Sequence, residues 1–264
     1  MMHKILALWA VPRSTSTAFE WMMRMRGDHH CFHEPFGEAW YQGAAPLWPR
    51  ATPDSLRTPG LTLDSVWQTL RDAVANGPVF SKDFPHYVET IWSDDFLDAF
   101  THSFLIRDPA KTLVSLFKHW DDVHLDETGF LQQHVLFQRL ADRDGAAPPV
   151  IDSDDLLERP HETVAGWCQA VGIPFLPEAL SWDPGARDEV SWWDGGVFHD
   201  TLRKSDGLKP QTPHAVNPTT LPEPAKRLYD QVLPAYLALH EHKLSSISVM
   251  PSLRSMTICA HEAR

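Results

Sequence analysis

Along the first two thirds of the chain, the apolar positions switch repeatedly between two patterns. KILALWAV (4–11) is a short continuous apolar run, as expected of a strand buried on both faces. A helical pattern follows from about Thr17 to Arg26. HHCFHE (29–34) reads as a second strand stopped by Pro35. DSVWQTLRDAVANG reads as a helix capped by Asp64 and closed by Gly77. PVFSKDF (78–84) and THSFLIRD (101–108) give the third and fourth strands. PAKTLVSLFKHW (109–120) is a helix with proline in its first turn, 127–143 is a further helical stretch, and PPVIDS (148–153) is a fifth strand. This alternation predicts a three-layer α/β domain, with a central parallel sheet flanked by helices and right-handed crossovers. The single domain is expected over residues 1–243. Residues 43–62 and about 174–224 are proline-rich and irregular, a last helix spans about 223–242, and 244–264 reads as a peripheral, poorly ordered tail.

Composition narrows the partners. The 264 residues are 43% hydrophobic and 22% charged, with a formal net charge of -12. That balance argues against a duplex nucleic acid partner, which clustered Lys and Arg would have to hold. It leaves room for a small anion in a local basic pocket. Cys31, Cys168 and Cys259 are odd in number and far apart, so neither a disulfide framework nor a zinc site is expected, and a reducing, cytoplasmic setting is. His29, His30 and His33 alternate on a strand instead of clustering as metal ligands, and no metal is expected. Pro12-Arg13 ends the first apolar run, which reads as a strand and not a leader, and no later run approaches the length of a membrane span.

Candidate chemistry begins at AVPRSTSTAF (10–19). A strand emptying into a helix N-terminus offers backbone N–H groups and the positive end of the helix dipole. Ser14, Thr15, Ser16 and Thr17 add hydroxyls and Arg13 adds a fork for phosphate or sulfonate oxygens, whereas a simple helix cap needs one hydroxyl. The glycines and lysine of G-x-x-x-x-G-K-[ST] are absent. A second basic feature is RDPAKTLVS (107–115), where Arg107 ends a strand and Ser115 lies two turns into the next helix. Parallel sheets bind ligands at the carboxyl ends of strands, so two separated cationic sites there suit a ligand with two anionic groups.

PRSTST and RDPAKTLVS, with IDSDDLLERPHETVAGWCQAVGIPF (151–175) and SWDPG (181–185), resemble the sulfotransferases that use 3′-phosphoadenosine 5′-phosphosulfate, over about residues 4–185. Arg13, HEP (33–35) and RDP (107–109) look most like the carbohydrate and bacterial small-molecule branch. The resemblance implies a P-loop-like sulfotransferase fold. It implies that Arg13, Ser14, Thr15, Ser16 and Thr17 hold the 5′-phosphosulfate and that Arg107 and Ser115 hold the 3′-phosphate. FHDTLRKSDGL (198–208), a looser match, would close over the nucleotide and offer Arg203, Lys204 and Ser205. Thr15 stands where many members have glycine, which leaves less room for backbone approach. The implied reaction is in-line, metal-free transfer of a sulfonate to a hydroxyl, or an amine, of a small molecule or carbohydrate, with Arg13 and Lys82 meeting the developing charge.

Two residues compete as the base. Glu34 matches the glutamate of carbohydrate-type relatives and sits at the carboxyl edge beside the anion turn. His86 has the more convenient intrinsic pKa, but lies four residues past Lys82 where another branch has its histidine two past. Position favours Glu34. Two other functions stay open: a non-catalytic nucleotide-binding relative, and a P-loop-type phosphotransferase. Acceptor choice is expected to lie in 36–62 and 185–215, with Trp192 and Trp193 at the acceptor pocket and Trp9, Trp21 and Trp120 in the core. Asp154 and Asp155 read as a turn or helix cap.

Overall fold

Six consecutive buried residues, Ile5–Ala10, form β1 at the centre of a five-stranded sheet in the computed structural model, which describes residues 4–48, 57–191, 198–212 and 214–245. The other strands are β2 (His30–His33), β3 (Val79–Asp83), β4 (Phe100–Ile106) and β5 (Val150–Asp152). Their order is β2-β3-β1-β4-β5, and every pairing is parallel. The continuous apolar runs follow from this placement, because a central parallel strand is covered on both faces.

The covering layers alternate with the strand residues. Phe80 of β3 packs on Phe19 of α1 (Ser16–Arg26) and on Trp167 of α10 (Pro160–Val171). Phe104 of β4 packs edge-on against Phe137 of α8 (Phe130–Asp144), on the opposite face. The last helix, α12 (Glu223–His240), packs on α8 and on α6 (Pro109–Leu116). The expected three-layer arrangement is the one observed.

Several local expectations are corrected. The helix expected to be capped by Asp64 is α3 (Leu63–Val74), capped instead by Thr62, which exchanges side-chain hydrogen bonds with Ser65. The stretch at 127–143 is two helices, α7 (Leu125–Thr128) and α8, divided at Gly129, whose left-handed φ of 72° ends the first and starts the second. Shorter helices are α2 (Pro35–Gln42), α4 (Pro85–Val88), α5 (Asp94–Asp98), α9 (Ser153–Glu158) and α11 (Asp200–Lys204). Trp9 and Trp21 are buried as expected, but Trp120 lines a cavity. Trp192, Trp193 and most of the expected tail lie outside the described residues.

The chain visits β2 and β3 on one side of β1 before crossing to β4 on the other, so the switch in strand order falls between β1 and β4. Gln133 of α8 clamps that point: its Nε2 donates to the carbonyls of Trp9 and Leu105, each at 3.0 Å. The crevice beyond the strand ends is where such sheets bind ligands.

Candidate active site at the carboxyl edge of the sheet

A cavity of about 480 Å³ opens at this edge. Its wall includes the whole β1–α1 turn from Pro12 to Ala18, the end of β2 at His33 and Glu34, Arg107 after β4, and Lys111 and Ser115 of α6. Phe198, His199, Leu202, Ser205 and Leu208 close the side opposite the sheet. Phe84, Tyr41, Tyr87, Leu116 and Trp120 add an aromatic and aliphatic share to its lining.

The two motifs meet here. Arg13 Nε donates to Ser115 Oγ at 2.9 Å, and Arg13 Nη1 donates to the Phe198 carbonyl at 2.8 Å. The Phe198 ring lies against the same guanidinium, 5.3 Å from it. Arg107 Nη1 donates to the Arg13 carbonyl, while its buried Nε has no hydrogen-bond partner among the described residues. A buried, unmatched cationic donor is costly without a counter-ion, so this corner fits an anion. Burial and the charge of Arg107 both pull the Arg13 pKa below its ordinary value, and Glu34 acts the other way. Burial likewise lowers that of Arg107, against the nearby Asp154, Asp108 and Asp152.

The turn itself is strained. Arg13 and Thr15 have φ of 62° and 73°, left-handed values that cost an L residue about 1–2 kcal/mol each. Thr15 thus occupies a conformation that suits glycine. Its side chain is held by Ser153 Oγ at 2.9 Å, and Ser14 Oγ donates to the Val11 carbonyl at 2.6 Å. At the N-cap of α1 the Thr15 side chain makes no hydrogen bond to the helix N–H groups, and the first turn of α1 has no acidic residue. The dipole end therefore faces the cavity without an internal anion.

The parallel register builds the neighbouring corner. His33 pairs with Lys82 across β2 and β3, so Glu34, one residue on, lies beside the lysine. Lys82 Nζ, fully buried, donates to Glu34 Oε1. Burial pushes the Glu34 carboxyl up, but Lys82 and then His33 outweigh it and leave it below the usual carboxylate range. Lys82 does not itself line the cavity and reaches it through Glu34.

His86, Arg203 and Lys204 are not brought to the cavity. His86 is buried among Trp40, Phe84 and Tyr87, with both ring nitrogens lacking a partner among the described residues, and burial pushes its pKa down to about 3. The water-exposed alternative for this histidine is also set aside. Arg203 pairs with Asp200 at 3.4 Å and Lys204 is exposed; Leu202 and Ser205 are what that segment presents.

Two contributors were not singled out from the sequence. Lys111, buried in the first turn of α6, pairs with Asp154 at 2.5 Å and lines the cavity. A cation in a helix's first turn opposes the dipole, a readable sign that an anion is near. Asp154 joins that pair, while the cap of α9 is Asp152, which accepts from the Asp154 N–H. The other contributor is His33, whose Nδ1 is 2.6 Å from Glu20 Oε2.

The family described as "Sulfotransferase domain" matches residues 3–241. A curated relative, "Branched-chain-amino-acid aminotransferase-like protein 1" of Arabidopsis thaliana, is 24% identical over 264 residues; the match covers 94% of this chain. This chain spans only 44% of that relative's length. Among solved structures, the sulfotransferase domain from the curacin biosynthetic pathway aligns at 14% identity and TM-score 0.48, over 88% of this chain and 98% of that one. Mouse sulfotransferase SULT7A1 complexed with PAP aligns at 9% identity and TM-score 0.48, over 89% and 85%.

Proposed function

The chain belongs to the sulfotransferase domain family, and from that membership we propose that its cavity binds 3′-phosphoadenosine 5′-phosphosulfate and moves the sulfonate to an acceptor hydroxyl or amine. The observation that carries this reading is the convergence of PRSTST and RDPAKTLVS, with Arg13 on Ser115 and Arg107 beside them with an unmatched Nε. A donor with two anionic groups matches the three cations, Arg13, Arg107 and Lys111, that line one crevice.

In this assignment the α1 N-terminus, Arg13 and the hydroxyls of Ser14 to Thr17 take the phosphosulfate. Arg107, Ser115 and Lys111 take the 3′-phosphate. Fixed cations meet the charge that grows on the departing phosphate, so positioning and electrostatics supply most of the catalysis, as in phosphoryl transfer. The acceptor is assigned to the aromatic part of the lining at Phe84, Tyr41 and Tyr87, beside Glu34. A small alcohol, phenol, amine or sugar is the proposed acceptor class, in a reducing, cytoplasmic setting.

The test is a donor-dependent screen of such acceptors by mass spectrometry. The expected result is an acceptor product heavier by one sulfonate, formed only with the donor. Binding of the spent donor without any product favours a non-catalytic relative, and magnesium-dependent ATP hydrolysis favours a phosphotransferase.

A further inference from the structure

Glu20 and His33 make a buried pair that donor binding leaves without a task. Glu20 sits in the apolar run of α1 and is fully buried. Its Oε2 meets His33 Nδ1 at 2.6 Å, and its Oε1 accepts from Arg24 Nε at 2.9 Å. Burial pushes the Glu20 carboxyl up, but His33, Lys82 and Arg24 together hold it down at about 2. An ionised carboxylate only accepts, so Glu20 takes the Nδ1–H of His33 and leaves Nε2 as the ring nitrogen it does not engage. His33 lines the cavity, and its Nε2 is 4.0 Å from Glu34 Oε1, beyond hydrogen-bond distance.

The rival groups are less suited to receive a proton. Glu34 is engaged by Lys82 and held in its weakly basic, ionised form. His86 is walled off from the cavity. His199 lines it, 5.3 Å ring to ring from His33, but burial, His33 and Lys82 push its pKa down to about 3. The charged and titratable groups around His33 are Glu20 and Arg24 from α1, Glu34 after β2, Lys82 of β3, and His199 and Arg13 from the cavity wall.

We propose that His33, oriented by Glu20, is the catalytic base that takes the acceptor's proton. This assignment rests on the sulfotransfer function above. In the step, the acceptor oxygen forms a bond to sulfur as the sulfur–oxygen bond to the donor phosphate breaks. The electron pair of the broken bond stays on the departing phosphate. The hydroxyl proton passes to His33 Nε2, and Glu20 faces the resulting imidazolium at Nδ1. The proton then leaves to water. Glu20 is a positioning residue: it fixes the tautomer and never touches the acceptor.

The experiment measures kcat/KM against pH, with an acceptor found in the screen, for wild type, His33→Gln, Glu20→Gln and Glu34→Gln. His33→Gln is expected to lose about 10²-fold or more and to lose the acidic limb of the profile. Its Tm rise with 3′-phosphoadenosine 5′-phosphate should match wild type. Glu20→Gln should keep the donor KM, lower kcat and move the limb to lower pH. A His33→Gln enzyme within twofold of wild type overturns the assignment, as does loss of the limb in Glu34→Gln alone. A wild type that transfers nothing fails the sulfotransferase function itself, a different outcome. If His33→Gln does not fold, nitrogen NMR of wild type at pH 8 decides: an Nδ1–H tautomer at His33 supports the assignment, and an Nε2–H tautomer overturns it.

Discussion

Two turns at the same sheet edge share a plan and differ in electrostatics. The β1–α1 turn bends through left-handed Arg13 and Thr15, and the β2–α2 turn bends through left-handed Glu34, with φ of 44°. At the second turn the protein supplies its own partners: the Asp83 carboxyl, pushed well up by burial, accepts from the Phe36 N–H at 3.2 Å, and Glu38 lies in the first turn of α2. Lys82 answers Glu34, and Glu20 answers His33. At the first turn, the start of α1 has no acid and no side-chain cap, and the Nε of Arg107 lacks a described partner. One turn is arranged to receive an external anion. The other is paired from within.

The sharpest way to break the contrast is at Lys82. Lys82→Met should cost about 3–5 kcal/mol in urea unfolding, because Glu34 is left buried and unpaired. Adding Glu34→Gln should recover most of that loss, since the uncompensated charge is then gone. If the single and double variants are equally unstable, the pair does not balance this turn.

Arg13→Ala should lower Tm modestly through the lost bonds to Ser115 and Phe198, and lower kcat/KM by about 10²-fold, the scale of removing one preorganised donor to a developing charge. A large fall in Tm with intact turnover would make Arg13 a scaffold residue. Arg107→Ala should weaken 3′-phosphoadenosine 5′-phosphate by roughly tenfold or more in calorimetry, the loss of one charge-assisted hydrogen bond.

The smallest effect concerns Thr15. Thr15→Gly relieves the left-handed backbone but loses the bond to Ser153, whereas Thr15→Ala loses the bond and keeps the strain. The glycine variant should be the more stable by about 1 kcal/mol, the reverse of helix propensity. A more stable alanine variant would mean that the turn is not strained.

Much of this was legible in the chain. Continuous apolar runs such as KILALWAV mark parallel strands because burial on both faces removes alternation. That the β1–α1 turn lines the cavity was legible because hydroxyls and an arginine crowd one strand-to-helix junction. What stayed hidden depends on register and packing. Nothing local to HHCFHE says that His33 will face a carboxylate thirteen residues earlier, since that contact forms only when α1 crosses back over the sheet. A glutamate inside FEWMM was the available sign, a charge amid apolar neighbours that needs a buried partner. Likewise, SKDFPHY does not reveal that His86 is sealed by Trp40, which arrives from α2.

The central claim is that the crevice holds one ligand by two anionic ends, and thermal unfolding of wild type with two nucleotides tests it most directly. A native-state ligand raises Tm with the logarithm of how far its concentration exceeds its Kd. With 3′-phosphoadenosine 5′-phosphate the rise should be clearly larger than with adenosine 5′-phosphate at equal concentration, and Arg107→Ala should close the gap. Equal shifts from the two nucleotides, or none at millimolar concentration, would contradict it.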